Sequence, residues 1–352
     1  MKKGVLLVNL GSPDSPTVSD VKRYLTQFLN DPFVIDINPV ARFFLVNFII
    51  VPSRSKNSAK LYEAIWTKEG SPLIVHSKKQ RELLQKELDL IPSPSPKRGE
   101  GSRYIVELGM RYQNPSIESA FKKLVEQDVE SITVIPLYPH WASSSTESSI
   151  VEIKRMAKKY NYTNLKIVEK FYDDENYLEA LADVAKPYLS HGRGNGVEAY
   201  DFFVFSYHGL PERQIKKIYP NHCEINDKCC SAISEKNKFC YRAACYYTTR
   251  ELVKRLHIPE GKYISSFQSR LDDKWLKPYS DKVIEEKAKE GMKKILVFSP
   301  AFVSDCLETI YEIGIEYAHI FKQNGGEKLQ MVESLNENPK WIEALKQLAT
   351  SV

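Results

Sequence analysis

No stretch of this 352-residue chain is long and apolar enough to read as a membrane-spanning helix, which needs roughly 20 such residues. The longest candidate, Phe43 to Val51, is interrupted by Asn47. Two lysines precede Val5-Leu6-Leu7-Val8, but Asn9, Gly11 and Pro13 break that run and no small-residue cleavage site follows. The N-terminus therefore reads as a first strand and not as a signal peptide. The expectation is a cytoplasmic protein, at most peripheral on the cytoplasmic face of a membrane. An excess of one charge is also lacking: 50 Lys and Arg against 45 Asp and Glu leave a formal net charge of +5. A nucleic-acid binder would show a concentrated basic face, so no nucleic-acid partner is expected. No Gly-x-Gly-x-x-Gly follows a strand; Gly192–Gly196 is glycine-rich but precedes one, the wrong order for dinucleotide binding. No Cys-x2-Cys pair occurs, which argues against a standard zinc ribbon.

What is present is an ordinary globular composition, 42% apolar and 27% charged. Short apolar runs alternate with amphipathic patterns. Candidate strands are Gly4–Asn9, Tyr104–Met110, Ser131–Leu137, Leu165–Val168, Phe202–Ser206, Tyr263–Gln268, Lys294–Ser299 and Lys328–Met331. Several are apolar throughout, as strands covered on both faces of a parallel sheet must be. Helical patterns include Ser77–Leu88, Pro115–Gln127, Glu147–Lys159, Asn176–Tyr188 and Thr248–Leu256. The order predicts an α/β fold with parallel sheets flanked by helices. Weak internal similarity suggests two related halves. Val5–Asn9 leads into Leu-Gly-Ser-Pro and Phe202–Ser206 into Tyr-His-Gly-Leu-Pro; Ile132–Ile135 runs into Pro136 and Ile295–Phe298 into Ser-Pro300. Ile91–Ser102, with alternating Pro and Ser, reads as a surface loop.

Ligands of open α/β sheets bind beyond the carboxyl ends of strands, so strand exits carry the candidates. His208 follows an apolar strand and precedes Gly209 and Pro211. Position alone leaves it either a metal ligand or base or a histidine hydrogen-bonded to a loop. Glu308 and Glu312, spaced four apart, share a helix face, with Asp305 placed to cap that helix. They read either as a hard-cation and proton path or as a solvated acidic face. The apolar neighbours Leu307, Ile310, Tyr311 and Ile313 favour partial burial, and buried acids need a partner or a task.

These segments resemble ferrochelatases. SYHGLPER, FQSRLDDKWLKPYSD, FSPAFVSDCLETIYE and ESLNENP are similar to that family's motifs. So are VNLGSPDSP, YEAIWTKEGSPLI, MRYQNPSI and LYPHWASSSTESS. They follow the family's order from Val5 to Pro339. The resemblance implies a chelatase-like fold of two Rossmann-like halves with an active-site cleft between them. It divides the chain into an N-terminal half with an apolar lip (1–165), a C-terminal half with the metal site (166–330) and a C-terminal helix (331–352). It implies insertion of Fe2+, a substrate, into protoporphyrin IX, with coproporphyrin III as the alternative macrocycle. His208, Glu308 and Glu312 become the catalytic candidates, the first two also meeting the metal. Leu10, Tyr62, Tyr138 and Trp275 become porphyrin-pocket candidates, and Arg54 a partner for a propionate. Residues 43–51 match the pocket lip, which implies peripheral membrane contact. Where the family often has His, this chain has Cys306. A monomer or homodimer is expected.

Five of six cysteines lie between Cys223 and Cys245, spaced C-x5-C-C-x9-C-x4-C. Crowded thiols in a chain read as cytosolic suggest metal rather than disulfides. Some family members carry a [2Fe–2S] cluster, but this chain has no cysteine after Cys306, and Ser143 stands where one family ligand would be. Four internal thiolates suffice for such a cluster or for structural Zn2+. Adjacent cysteines seldom both ligate, so the expected set is Cys223, Cys230, Cys240 and Cys245, with iron–sulfur ahead of zinc. A reading from another class is an iron–sulfur redox or sensor protein on a chelatase scaffold; the presence of both His208 and Glu308 argues against it.

Overall fold

The computed structural model describes residues 2–91, 103–190, 199–219, 223–226 and 228–351. Residues 92–102 of the Pro/Ser segment, and Gly192–Gly196, lie outside these. The chain divides into two compact units, residues 1–169 with 341–352, and residues 170–340.

The first unit contains β1 (Lys3–Asn9), α1 (Val18–Leu29), α2 (Pro39–Phe44), α3 (Val51–Ile65), α4 (Pro72–Asp89), β2 (Tyr104–Met110), α5 (Ile117–Glu126), β3 (Ser131–Pro136), α6 (Ser148–Lys159) and β4 (Leu165–Ile167). Its sheet is parallel with order β2-β1-β3-β4. Val5 to Val8 are fully buried, which suits the central strand of a sheet covered on both faces. Each such side chain contributes about 1.5–3 kcal/mol on burial. Leu6 and Val8 pack with Ile132 and Val134 against Phe121 and Leu124 of α5 and Ile153 and Met156 of α6. Local chemistry sets the helix starts: the Thr17 side chain accepts from the Asp20 N–H, and that of Ser116 from the Ser119 N–H.

The second unit contains α7 (Glu175–Ser190), β5 (Phe202–His208), α8 (Glu212–Ile218), α9 (Tyr241–Arg255), β6 (Tyr263–Gln268), α10 (Ser280–Lys289), β7 (Lys294–Phe298), α11 (Ala318–Gln323) and β8 (Lys328–Met331). The last helix, α12 (Pro339–Thr350), belongs to the first unit from Trp341 onward. The second sheet is also parallel, in the order β6-β5-β7-β8. Phe202, Val204, Ile295 and Val297 bury against Val283 and Ile284 of α10 and against Ile313, Tyr317 and Phe321. Each sheet places its first strand second in the order, as two related halves require.

Three details differ from the pattern in the sequence. His208 is the last residue of β5, not a loop residue beyond it. Helix α9 begins at Tyr241, well before Thr248, because Tyr241, Arg242, Ala243, Ala244 and Cys245 are all buried; tertiary packing overrides the capping preference of threonine. Residues Leu45–Ile50, Ser143–Glu147 and Leu307–Tyr317 form π-helices, an uncommon geometry often found at functional sites. A 3.6-residue periodicity does not reveal it.

Candidate functional site

The order of the second sheet reverses between β5 and β7, the switch point at which such sheets bind ligands. His208 sits there, in register with Gln268 of β6. The Gly209 N–H donates to the Gln268 carbonyl at 2.7 Å. A Cβ on Gly209 would lie 2.7 Å from that oxygen and 3.3 Å from Trp275 Cε3, so glycine is required by the close approach. His208 Nδ1 lies 2.7 Å from the Gly209 carbonyl. A carbonyl only accepts, which assigns the proton to Nδ1 and leaves the lone pair of the neutral ring on Nε2. The ring centroid is 6.5 Å from those of both Trp275 and Phe302. Trp275 is fixed by its bridge to Pro211 and by the Leu276 N–H, which donates to the Leu210 carbonyl at 2.9 Å. The structure thus brings His208 and Trp275 together.

Beyond β7 the chain enters the π-helix Leu307–Tyr317. Its cap is not Asp305, as the sequence suggests, but Cys306. The Cys306 sulfur accepts from the Thr309 N–H, and the Cys306 N–H donates to Thr309 Oγ1 at 3.0 Å. Asp305 is buried and accepts instead from Thr309 Oγ1 at 2.9 Å, the Ser334 N–H at 3.2 Å and Asn336 Nδ2 at 2.7 Å. Burial and the neighbouring Glu308 charge push the Cys306 thiol well above its ordinary range, so it stays an S–H group hydrogen-bonded to Glu308.

Glu308 and Glu312 are both half-buried. The Glu312 carboxylate accepts from Gln268 Nε2 at 3.1 Å, the Ser269 N–H at 2.8 Å, the Ser269 hydroxyl, and the Tyr317 hydroxyl at 2.7 Å. Four donors orient it firmly. Gln268 Nε2 also donates to the Glu308 carbonyl at 2.9 Å. Gln268 therefore ties the strand beside His208 to the helix bearing both acids. Sequence reasoning missed Gln268, Ser269 and Tyr317. A polar residue closing strand β6, here 1% exposed, was the available signal for Gln268, since a buried amide needs partners. Ser269 has φ of 59°, left-handed backbone that a non-glycine residue seldom adopts.

The remaining porphyrin candidates lie in the first unit. Leu10 and Tyr138 follow β1 and β3, at that sheet's own switch point. The Leu10 N–H donates to Asn9 Oδ1 at 2.8 Å. Gly11 beside it has φ of 108°, and a Cβ there would meet the Tyr112 carbonyl at 1.9 Å. Tyr138 is hydrogen-bonded to Ser149 Oγ at 3.5 Å, and burial pushes its phenol up. Tyr62 is buried on α3, edge-on to Tyr24 and Trp66. Arg54 is exposed on the same helix. Arg111 and Tyr112 both bond to buried Asp31, at 2.6 and 2.8 Å, and Ser148 adds a third bond to the same oxygen at 2.6 Å. That network braces the loop after β2. On α2 and the π-helix after it, Phe43, Phe44, Phe48 and Ile49 are each more than half exposed, and the three phenyl rings pack on one another.

The expected thiol set is not assembled. Among the described residues, no group of three or more His, Cys, Asp or Glu side chains is placed to hold a metal ion. Cys245 lies inside α9, fully buried, with the Tyr241 hydroxyl as its hydrogen-bonding neighbour. It does not fit a ligand set with the others, because the helix starting at Tyr241 carries it into the core. Cys230 fits better: its sulfur is 3.7 Å from that of Cys229 and hydrogen-bonded to Cys240. Cys223 is half-buried near Cys229 and Cys230.

The ferrochelatase family model matches residues 2–352. A ferrochelatase of Coxiella burnetii is 41% identical over 350 residues, covering 99% of this chain and 93% of that protein. One of Pseudomonas fluorescens is 43% identical over 349 residues, covering 98% and 96%. A solved structure described as SirB from Bacillus subtilis with Fe3+ aligns with 100% of this chain and 97% of its own at 13% identity and a TM-score of 0.48. By the extent of the family match and the identity to these relatives, the chain belongs to the ferrochelatase family.

Proposed function

We propose that His208 and Glu308 are the working pair of this ferrochelatase and that its macrocycle is protoporphyrin IX. As a ferrochelatase the protein is a lyase that inserts Fe2+ into a porphyrin in heme synthesis. Insertion requires two pyrrole N–H protons to leave while the hydrated cation sheds water. His208 presents a lone pair on Nε2 because Nδ1 is committed to the Gly209 carbonyl, so it suits proton acceptance or metal contact. Glu308 meets a cationic metal or takes a proton, and Glu312, held by four donors, extends a fixed negative charge along the helix. Trp275 supplies an aromatic face beside His208. Leu10, Tyr62 and Tyr138 are the proposed pocket residues of the first unit, and Arg54 the propionate partner, for which a guanidinium is suited.

The observation that carries this reading is the Gln268 tie, which binds the His208 strand end and the acidic π-helix into one framework. The test is anaerobic incubation with Fe2+ and either protoporphyrin IX or coproporphyrin III, followed by absorption spectroscopy. Metalation of protoporphyrin by wild type, lost in His208→Ala and Glu308→Gln, is expected. Preference for coproporphyrin overturns the choice of macrocycle. Metalation of neither favours a sensor on a chelatase scaffold.

Two further features belong with this reading. The exposed phenylalanine cluster, with Arg42 and Lys56 nearby in sequence, supports peripheral contact with an anionic membrane. Phe44→Glu with Phe48→Glu should abolish co-sedimentation with anionic vesicles. The hydrogen bond between Cys230 and Cys240, with Cys223 close by, supports a thiolate-bound [2Fe–2S] cluster or Zn2+ that uses these three thiols and not Cys245. Metal analysis of Cys230→Ser and Cys245→Ser decides it: only the first should lose metal.

A further inference from the structure

Resting on the reading of His208 above, we infer that Tyr241 is a positioning residue for His208, acting through the peptide group that joins His208 to Gly209. The Tyr241 hydroxyl donates to the His208 carbonyl at 2.8 Å. On the other side of the same peptide, the Gly209 N–H donates to the Gln268 carbonyl at 2.7 Å. This peptide plane is therefore gripped at its oxygen by α9 and at its nitrogen by β6. The next carbonyl along, that of Gly209, receives the His208 Nδ1 proton. The direction in which Nε2 points thus follows the orientation of a backbone that Tyr241 holds at one end. Tyr241 does not meet the reacting atoms; its effect passes through the main chain.

The surroundings suit that task. Tyr241 is only 4% exposed, so the bond is sheltered from water and its loss leaves a carbonyl without a partner. Tyr241 is the first residue of α9, and the residue before it, Cys240, is the helix cap. The Cys240 N–H donates to the Asn237 carbonyl at 2.8 Å, and its thiol is hydrogen-bonded to Cys230. One turn later the Cys245 thiol is hydrogen-bonded to the Tyr241 phenol. The cysteine segment therefore ends directly on the residue that orients His208. This gives the segment a mechanical role whatever it binds: displacing Cys240 moves the start of α9, and with it the hydroxyl on the His208 carbonyl.

Misplacing a catalytic group by about 1 Å costs up to roughly a hundredfold in rate, whereas an interaction that merely aids binding shows in KM. Tyr241→Phe keeps the ring and deletes the hydroxyl. Expected is a fall in kcat of roughly tenfold with KM for porphyrin unchanged, and a displaced His208 ring resonance in histidine-labelled NMR spectra, that resonance being the one absent in His208→Ala. Tyr162→Phe is the matched control. It deletes a phenol that donates to the Val129 carbonyl at 2.8 Å in the first unit and should change neither kcat nor the His208 resonance. An inactive His208→Ala together with a Tyr241→Phe enzyme of unaltered kcat and resonance overturns the inference. A fully active His208→Ala instead overturns the site reading on which it rests.

Discussion

His140 should make the fold acid-sensitive. It follows Tyr138 and Pro139 after β3 and is 2% exposed. Burial disfavours the charged imidazole and pushes its pKa from the ordinary 6.5 down to about 3. Between those values the unfolded chain binds a proton that the folded chain refuses, so stability rises with pH. The contribution is complete above the unfolded pKa and is lost progressively as pH falls toward the folded one. At 1.36 kcal/mol per unit, a gap of about 3.5 units amounts to ~5 kcal/mol in full, an order-of-magnitude figure, and about 2 kcal/mol is already lost at pH 5. Thermal unfolding of wild type and of His140→Gln at pH 8 and pH 5 measures it. The wild type should lose more Tm across that interval than the variant. Parallel losses, or an NMR titration of the His140 ring near 6.5 in the folded protein, would refute the reasoning.

Two other outcomes follow from the site. Ser269→Ala loses a hydrogen bond to the Glu312 carboxylate, about 1.5–3 kcal/mol, and keeps the left-handed backbone; Ser269→Gly loses the same bond but sheds roughly 1 kcal/mol of backbone strain. The glycine variant should therefore melt higher than the alanine variant by calorimetry, the reverse of the usual order, and equal or inverted melting points would count against strain at Ser269. In the folded, metal-free protein, iodoacetamide should label the half-buried Cys223 and Cys229 before the buried Cys245 and Cys306, whose thiols burial holds protonated; mass spectrometry over time reads the order, and early labelling of Cys306 would contradict its burial.

Much of the fold was legible because central strands are apolar runs, as at Val5–Val8; Tyr104–Met110, Tyr263–Gln268 and Lys328–Met331 also have the bounds read from the sequence. Strand exits and family motifs also named the candidate residues, of which the structure sets His208 beside Trp275 and both acids on one π-helix. What escaped was geometry with no compositional mark. A π-helix has the residues of an α-helix, so Leu307–Tyr317 gave no sign of its wider turn. The early start of α9 depends on the burial of Tyr241–Cys245, which no local propensity encodes, and that single shift removed Cys245 from the expected ligand set. Gln268 and Ser269 stood in a recognisable motif, but their grip on Glu312 joins residues more than forty positions apart.

The matching strand orders have a consequence for how chemistry is distributed along the chain. β1 and β5 are each seven residues long, central in their sheets, and followed at once by a glycine-containing turn. Their last residues, Asn9 and His208, are topological counterparts. Asn9 is buried, and its amide donates to Ser77 Oγ at 3.0 Å while its carbonyl oxygen holds the Leu10 N–H; it is a brace. His208 occupies the same station with an imidazole whose Nε2 keeps its lone pair. If the halves descend from one ancestor, a single position has been divided between two trades: masonry in one copy and, on the role proposed for His208, reactivity in the other.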